Sequence, residues 1–485
     1  LQLLFIFETS CNLTPVAKLT INHQKMNAQT EFNFMKNNIV FGFLLILAAP
    51  AFAQDQLSAY IDEGLHNNLV LKDRNVSLKQ SLLALKNAKS YYLPTVTFNA
   101  DYLSAQGGRI ITLPVGDLLN SVYSSLNQLT STQKFPQISN QSAQLLPNNF
   151  YDARLHITYP LLNTDIYYTR QISRQVVVLQ QYEVDIYRQD LIRDIKQAYF
   201  NYCLAVETIS IYREALVLMD QNLRVNQSLL KNGKGLPANV LRVESEQQNI
   251  TAKIIESDNL RRNARNYLNF LINRPLTDSV NFEGPQVSDS LRGRLTKIAD
   301  AIIDIQERGE LKKINTEIEL YNTRLKLNQS YYIPKLNTFL DLGSQASDFK
   351  YNADSRYYYV GAQLTIPVFA GGRNRNNVKQ ARLDLVSLGL QKDLLTHQLE
   401  MATATAQNNL ASAWTACKAT EKQQIAAKAY FNLIEKGFKE GANSLLEFMD
   451  ARNQLTISAL QLNINQYNLL LQLAEYERQT AVSKI

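Results

Sequence analysis

A duplication constrains this chain more than any other feature. Ser90, Tyr91, Tyr92, Leu93 and Pro94 return as Ser330, Tyr331, Tyr332, Ile333 and Pro334. Each copy closes a helix-like stretch and opens an alternating, strand-like one. Each strand pair is expected to end at a second proline, Pro160 and Pro367, after which a long proline-poor segment begins. The four prolines Pro94, Pro160, Pro334 and Pro367 are therefore read as helix–strand junctions. The chain is expected to be helix, strand, strand, long helix, helix, built twice, with repeats over 54–290 and 291–485. Single-chain membrane barrels start at about eight strands, so four strands make the fold a question of assembly.

The strands are expected at about 95–106, 150–159, 335–345 and 357–366. The clearest is Tyr151 to Tyr159. Tyr151, Ala153, Leu155, Ile157 and Tyr159 fall on one face; Asp152, Arg154, His156 and Thr158 fall on the other. Val96, Phe98, Ala100 and Tyr102 alternate with polar residues in the same way. In the second half Leu336, Leu340 and Leu342 share a face, as do Tyr358, Val360, Ala362, Leu364 and Ile366. Period-two stretches of about ten residues with tyrosines at their ends are the pattern of membrane-barrel strands. A soluble half-buried sheet has the same period, and the export signal described below favours the barrel. The first strand pair is much farther apart than the second. Its excess, 107–149, is rich in Ser, Asn and Gln, and Val115 to Leu129 is expected to form a short amphipathic helix within it.

The long helices are expected over 163–232 and 373–436. In the first, Leu191, Ile195, Ala198, Tyr202, Val206, Ile209, Tyr212, Leu216, Met219 and Leu223 mark one stripe at helical spacing. Such a helix runs ~100 Å, several times the depth of a bilayer core, so most of it must stand outside any membrane. Each long helix turns back at a glycine-containing hairpin. Gly233, Ala238, Asn239 and Leu241 align with Gly437, Ala442, Asn443 and Leu445 at one common offset. Gly235 and Gly441 are the other turn glycines.

The N-terminus reads as processing signal. Residues 1–53 are expected to be an upstream extension and a signal peptide: Met35, Lys36, an apolar run from Ile39 to Ala49, then Ala51-Phe52-Ala53. The apolar run is too short to span a bilayer. A net charge of +7 over 485 residues, without a dense Lys/Arg run, gives no footprint for nucleic acid. Beyond residue 53 the cysteines are Cys203 and Cys417. If both long helices start at one level, the two sulfurs differ by ~10 Å of helix rise, so they are expected to be separate thiols. The histidines there, His66, His156 and His397, lie on unlike elements. No catalytic residues, no metal site and no cofactor are expected.

Taken in order, in both halves and behind a signal peptide, these features resemble an outer-membrane efflux protein of the TolC type. The resemblance covers about residues 55–482 and rests on the duplicated element order. It rests also on the Leu93-Pro94 and Ile333-Pro334 junctions and on the Gly441, Leu445, Leu446, Asp450 hairpin. It implies a mainly α fold with a membrane β-barrel: a homotrimer whose twelve-strand barrel stands on a long α-helical periplasmic tunnel. It implies an outer-membrane location and a passive exit duct for multidrug efflux or type I secretion. The partners implied are a periplasmic adaptor, an inner-membrane transporter and outer-membrane lipid. Glu447 and Asp450 match the acids that ring the periplasmic mouth in that family, and at i, i+3 they share a helix face. The hairpin residues Gly233, Gly235, Asn239, Leu241, Gly437, Gly441, Asn443 and Leu445 match its adaptor-docking ends. The family's basic partner for the closed state falls on Asn443, and its first-hairpin acid on Leu241. A competing reading, a periplasmic coiled-coil scaffold outside the membrane, differs in needing no outward apolar band.

Overall fold

The computed structural model describes residues 56–145, 148–284 and 304–480, together with Gly293 and Leu295. The signal-peptide expectation and the repeat boundary near residue 290 lie outside the described residues. The chain from Gln56 onward forms one compact unit.

Its elements run in chain order as follows: α1 (Gln56–Asn67), α2 (Leu69–Ser90), β1 (Thr95–Leu103), β2 (Ile110–Leu113), α3 (Val115–Thr130), β3 (Gln141–Gln144), β4 (Phe150–Leu162), α4 (Thr164–Lys231) and α5 (Pro237–Leu271). Then come α6 (Gly309–Gln329), a 3₁₀ turn (Ser330–Tyr332), β5 (Lys335–Ser347), β6 (Arg356–Thr365), α7 (Arg373–Lys439) and α8 (Leu445–Thr480). Setting aside the insertion β2–α3–β3, the order α2-β1-β4-α4-α5 repeats as α6-β5-β6-α7-α8. α4 packs on α5 as α7 packs on α8, and α2 and α6 both lie against α4.

Pro94 and Pro334 directly precede β1 and β5. They fix φ at the change from helix to strand and withhold an N–H that the helix would have needed. Pro160 is not a junction. β4 continues to Leu162, Pro160 pairs with Asn337, and the register slips between Pro160 and Leu162. A residue without an N–H fits where a bulge interrupts the ladder, so the strand outlasts its proline. Pro367 does follow the end of its strand, in the loop between β6 and α7.

The four long strands form one antiparallel sheet in the order β1-β4-β5-β6. β1 and β6 pair on one side only, so both edges of the sheet are open among the described residues. Register fixes the faces: Phe98 pairs with Leu155, Leu155 with Leu342, and Leu342 with Tyr358. That face carries exposed Val96, Phe98 (68%), Tyr358 (75%), Val360 and Leu364. Tyr151 is the exception, buried at the sheet end. Its ring stacks with Phe349 and tilts on Tyr351, and Phe349 also stacks on Tyr102. The opposite face is polar. Arg154 is paired with Asp152 and lies 3.9 Å from Asp101; His156 contacts Asp341; the Tyr357 hydroxyl donates to Asp152 at 2.8 Å.

The insertion is held by side-chain amides. Asn120 exchanges two hydrogen bonds with the Ile138 backbone, at 2.8 and 2.9 Å, and Asn127 does the same with Phe135. Two turns apart on α3, they clasp an extended segment as a ladder partner would. The apolar side of α3, with Leu118 and Leu129, is left exposed.

The helical core divides along its length. One cluster joins α1, α2, α4, α5 and α8 around Tyr60, Ile195, Tyr202, Leu268 and Tyr467. Another joins the hairpins around Met219, Val243, Phe431, Phe448 and Met449. A third holds Cys417 and Leu410. The stripe on α4 faces these clusters, but the buried face is wider than the stripe, because Ile192, Tyr199 and Ala215 are buried too. Several neighbours cover α4, so it needs more than one apolar line. Cys203 and Cys417 are buried thiols in separate clusters, not joined in a disulfide. Burial pushes the Cys203 thiol up to about 12, which makes it chemically inert.

Candidate functional site at the hairpin tips

Both long helices end in the same backbone device. At the end of α4 the Gly233 N–H donates to Leu230 and the Lys234 N–H to Leu229. At the end of α7 the Gly441 N–H donates to Phe438 and the Ala442 N–H to Gly437. Gly233 has φ +69° and Gly441 has φ +80°. These are paired Schellman turns, which require a residue that tolerates the left-handed region. Gly233 therefore corresponds to Gly441, and Pro237, which opens α5, to Leu445, which opens α8. The alignment of Gly233 with Gly437 is one helical turn out. Gly437 lies inside α7 for a different reason: a Cβ there would sit 1.8 Å from Asn443 Oδ1. On the corrected register the counterpart of Glu447 is Asn239, and that of Met449 is Leu241.

The second tip is organised by charge. Ser444 caps α8, and Glu447 reaches back to it. Glu447 Oε2 accepts from the Ser444 N–H at 2.7 Å, while the Glu447 N–H donates to Ser444 Oγ at 3.3 Å. This is a capping box, in which two groups at a helix start satisfy each other. The amide of Asn443 adds a weaker contact at 3.4 Å. The Ser444 backbone N–H holds the Glu447 carboxyl below its ordinary range. Asp450, one turn on, is exposed and has no ion pair among the described residues. The structure thus separates the two acids: Glu447 is engaged by its own helix start, and Asp450 is the free charge. Between them in sequence Phe448 and Met449 point into the core, and Phe448 stacks on Phe438 with centroids 4.9 Å apart. Burying each such side chain contributes roughly 1.5–3 kcal/mol, which anchors the acids to the hairpin.

Sequence reasoning missed Arg452. It is 1% exposed on α8, and its Nη2 donates to Glu246 Oε1 on α5 at 3.0 Å. Its Nε is buried without a partner among the described residues. The pair links the first hairpin to the second, two residues past the free acid. A signal was present: an arginine at an i, i+3 or i+4 step from Phe448 and Met449 lies on their buried face. A buried charge needs a partner.

A cleft of about 630 Å³ runs between α4 and the second tip, lined by Leu218, Asn222, Val225, Phe438, Asn443 and Phe448. Farther along α8 an ionic belt ties the repeats together. Arg478 donates to Asp190 on α4 at 2.6 Å and to Glu310 on α6 at 2.7 Å, and Arg308 also holds Glu310. Burial pushes the Glu310 carboxyl up, but hydrogen bonds from Arg308 and Arg478 outweigh it and hold the group at about 2.

Comparison with known proteins agrees with this geometry. The family profile described as outer membrane efflux protein matches residues 305–477. The outer membrane protein TolC of Vibrio cholerae is 20% identical over 291 residues, 59% of this chain and 66% of that protein. The solvent efflux pump outer membrane protein SrpC of Pseudomonas putida is 25% identical over 165 residues, 32% of this chain and 33% of that protein. The chain thus spans less than two thirds of either relative's length. Among solved structures, the CmeC outer membrane channel of Campylobacter jejuni superposes with a TM-score of 0.69 at 16% identity, covering 88% of this chain and 85% of that one. Family profile, relatives and fold agree in one likeness: the chain is similar to outer membrane efflux proteins in sequence over part of its length, and to outer membrane channels in fold.

Proposed function

We propose that this protein is the passive outer-membrane exit duct of a tripartite efflux or type I secretion system. The observation that carries the reading is the open sheet. Its apolar face is exposed, its polar face carries Arg154, His156 and Asp341, and neither β1 nor β6 has a second partner among the described residues. In lipid every backbone group must be satisfied, so a sheet with open edges has to be closed by other copies. Three copies give twelve strands, with the polar face around a lumen. No described helix is long and apolar enough to cross a membrane, so α4 and α7, each ~100 Å long, extend into the periplasm as a tunnel. Tyr102, Tyr151, Phe349 and Tyr351 then sit at the outer interface, where aromatic girdles belong.

At the far end Glu447 and Asp450 of three chains form an acidic mouth that attracts cations and disfavours anions. Asp450 supplies the free charge. The Arg452–Glu246 pair holds the second hairpin against the first, and so latches the closed mouth without a basic residue at Asn443. A periplasmic adaptor docks at the two tips and along the cleft beside Phe438, with avidity around the ring. One relative is named as the outer membrane protein of a solvent efflux pump. Cargo choice belongs to the inner-membrane transporter, and the duct itself performs no chemistry and uses no cofactor.

The test is reconstitution. The protein should run as an SDS-resistant trimer that dissociates on heating, and should conduct in planar bilayers. Glu447→Ala with Asp450→Ala should raise basal conductance or weaken block by divalent cations. Recovery of the native protein as a soluble periplasmic species would favour the scaffold reading instead.

A further inference from the structure

Two aromatic rings on the polar face of the sheet lie across glycines. Phe339 stands opposite Gly361 in the ladder, and Tyr357 stands opposite Gly343. A Cβ on Gly361 would lie 2.5 Å from Phe339 Cζ and 2.9 and 3.2 Å from its two Cε atoms. The tip of the ring therefore occupies the volume that any side chain at 361 would claim. The relation is reciprocal, since a Cβ on Gly343 would lie 2.9 Å from Tyr357 Cε1. Tyr357 passes over Gly343 and reaches β4, where its hydroxyl meets Asp152 at 2.8 Å. Phe339 is flanked by His156, with ring centroids 6.3 Å apart, and by Tyr359 at 5.4 Å. Side chains on a strand ordinarily stand roughly perpendicular to the sheet. These two lie along it, each filling the gap that a glycine leaves.

We propose that Gly361 and Gly343 set the bore of the duct, by giving Phe339 and Tyr357 notches in the wall where their rings lie flat instead of projecting into the lumen. The inference rests on the reading that the polar face surrounds a lumen. Aromatic residues on that face break the alternation, because a barrel of this kind is lined by polar groups. Flattened, they leave the passage open and present π faces beside Asp152, His156 and Asp341 to passing cargo. The two glycines differ in tolerance. A side chain at 343 would also strike the Ala153 carbonyl oxygen at 2.8 Å, whereas at 361 the three nearest atoms all belong to the Phe339 ring. A methyl group at 361 can therefore be accommodated only if that ring swings off the wall.

The test reads access to the barrel from outside, so the periplasmic mouth does not enter. Asn337 shares the face of Phe339 and lies nearer the helical end of β5. The native Cys203 and Cys417 are buried. Intact cells carrying Asn337→Cys are exposed to maleimides of graded bulk, with Gly361 native or with Gly361→Ala. A small maleimide should label both at the same rate, and a bulky one should label the Gly361→Ala chain more slowly. Adding Phe339→Leu should restore the faster rate. Equal rates with the bulky reagent would overturn the proposal. If Gly361→Ala fails to assemble, Phe339→Ala decides. A ring already flat on the wall obstructs nothing, so the bulky rate should stay near that of the native chain, and marked acceleration would overturn the proposal. Failure of the small maleimide to reach Asn337→Cys in the native background would count against the duct reading itself.

Discussion

The two helical hairpins share one turn and differ in everything that follows it. Both end a long helix with a left-handed glycine, Gly233 or Gly441. The first then enters α5 through Pro237, with no side-chain cap at Leu236 and no acid in its first turn. The second enters α8 through the Ser444–Glu447 capping box and carries Asp450 one turn on. A proline presets the backbone and makes no ionic bond; a capping box depends on charge and on solvent. The first hairpin is thus built as a fixed post and the second as the element whose position charge can govern. Arg452 and Glu246 join the two.

The comparison can be broken most severely at that joint. Arg452→Ala leaves Glu246 without its partner, and removing one member of a buried pair typically costs about 3–5 kcal/mol. The thermal midpoint of the protein should fall, and in the proposed duct basal conductance should rise as the second hairpin separates from the first. A midpoint and conductance equal to those of the native protein would remove the latch.

The next largest effect lies at the other end of α8. The Glu310 carboxyl is held at about 2 against an ordinary 4.5. A carboxyl depressed on folding contributes stability that is full above pH 4.5 and is lost as pH falls through about 2. At ~1.4 kcal/mol per pH unit the contribution is at most about 3 kcal/mol. Acid melts should therefore show a decline below pH 4.5 that Glu310→Gln flattens. An unchanged acid limb in that variant would mean that other carboxylates govern the loss.

The smallest effects test the asymmetry of the caps. Ser444→Ala should cost about 1 kcal/mol, and Leu236→Ser should stabilise by a similar or smaller amount, because only the first hairpin lacks a side-chain cap. Hydrogen exchange at the first turn of α5 and of α8 would report each change locally. Equal protection of both turns in the native protein would contradict the distinction between post and movable element.

Several features were legible before the fold. Period two located the strands within a few residues, and the absence of proline located α4 and α7. The amphipathic stretch within the insertion became α3, although its apolar side turned out to be the exposed one. What escaped depended on context. Gly437 and Gly441 are the same letter, but only φ shows which one ends the helix. Pro160 looked like a terminus because a proline cannot donate to a ladder, yet a bulge at that point made no such demand. Arg452 and Glu246 are far apart in sequence and meet only because two hairpins fold side by side.

By itself the sequence determined the repeating plan, the length of the helices and the two chemical faces of the strands. These follow from local periodicity, which any stretch of backbone must obey. Tertiary structure alone decided the register of the tips, the partner of Arg452 and the rings lying across Gly343 and Gly361. Each of those depends on which distant atoms occupy a given volume, and packing at that resolution is not written in the spacing of residues.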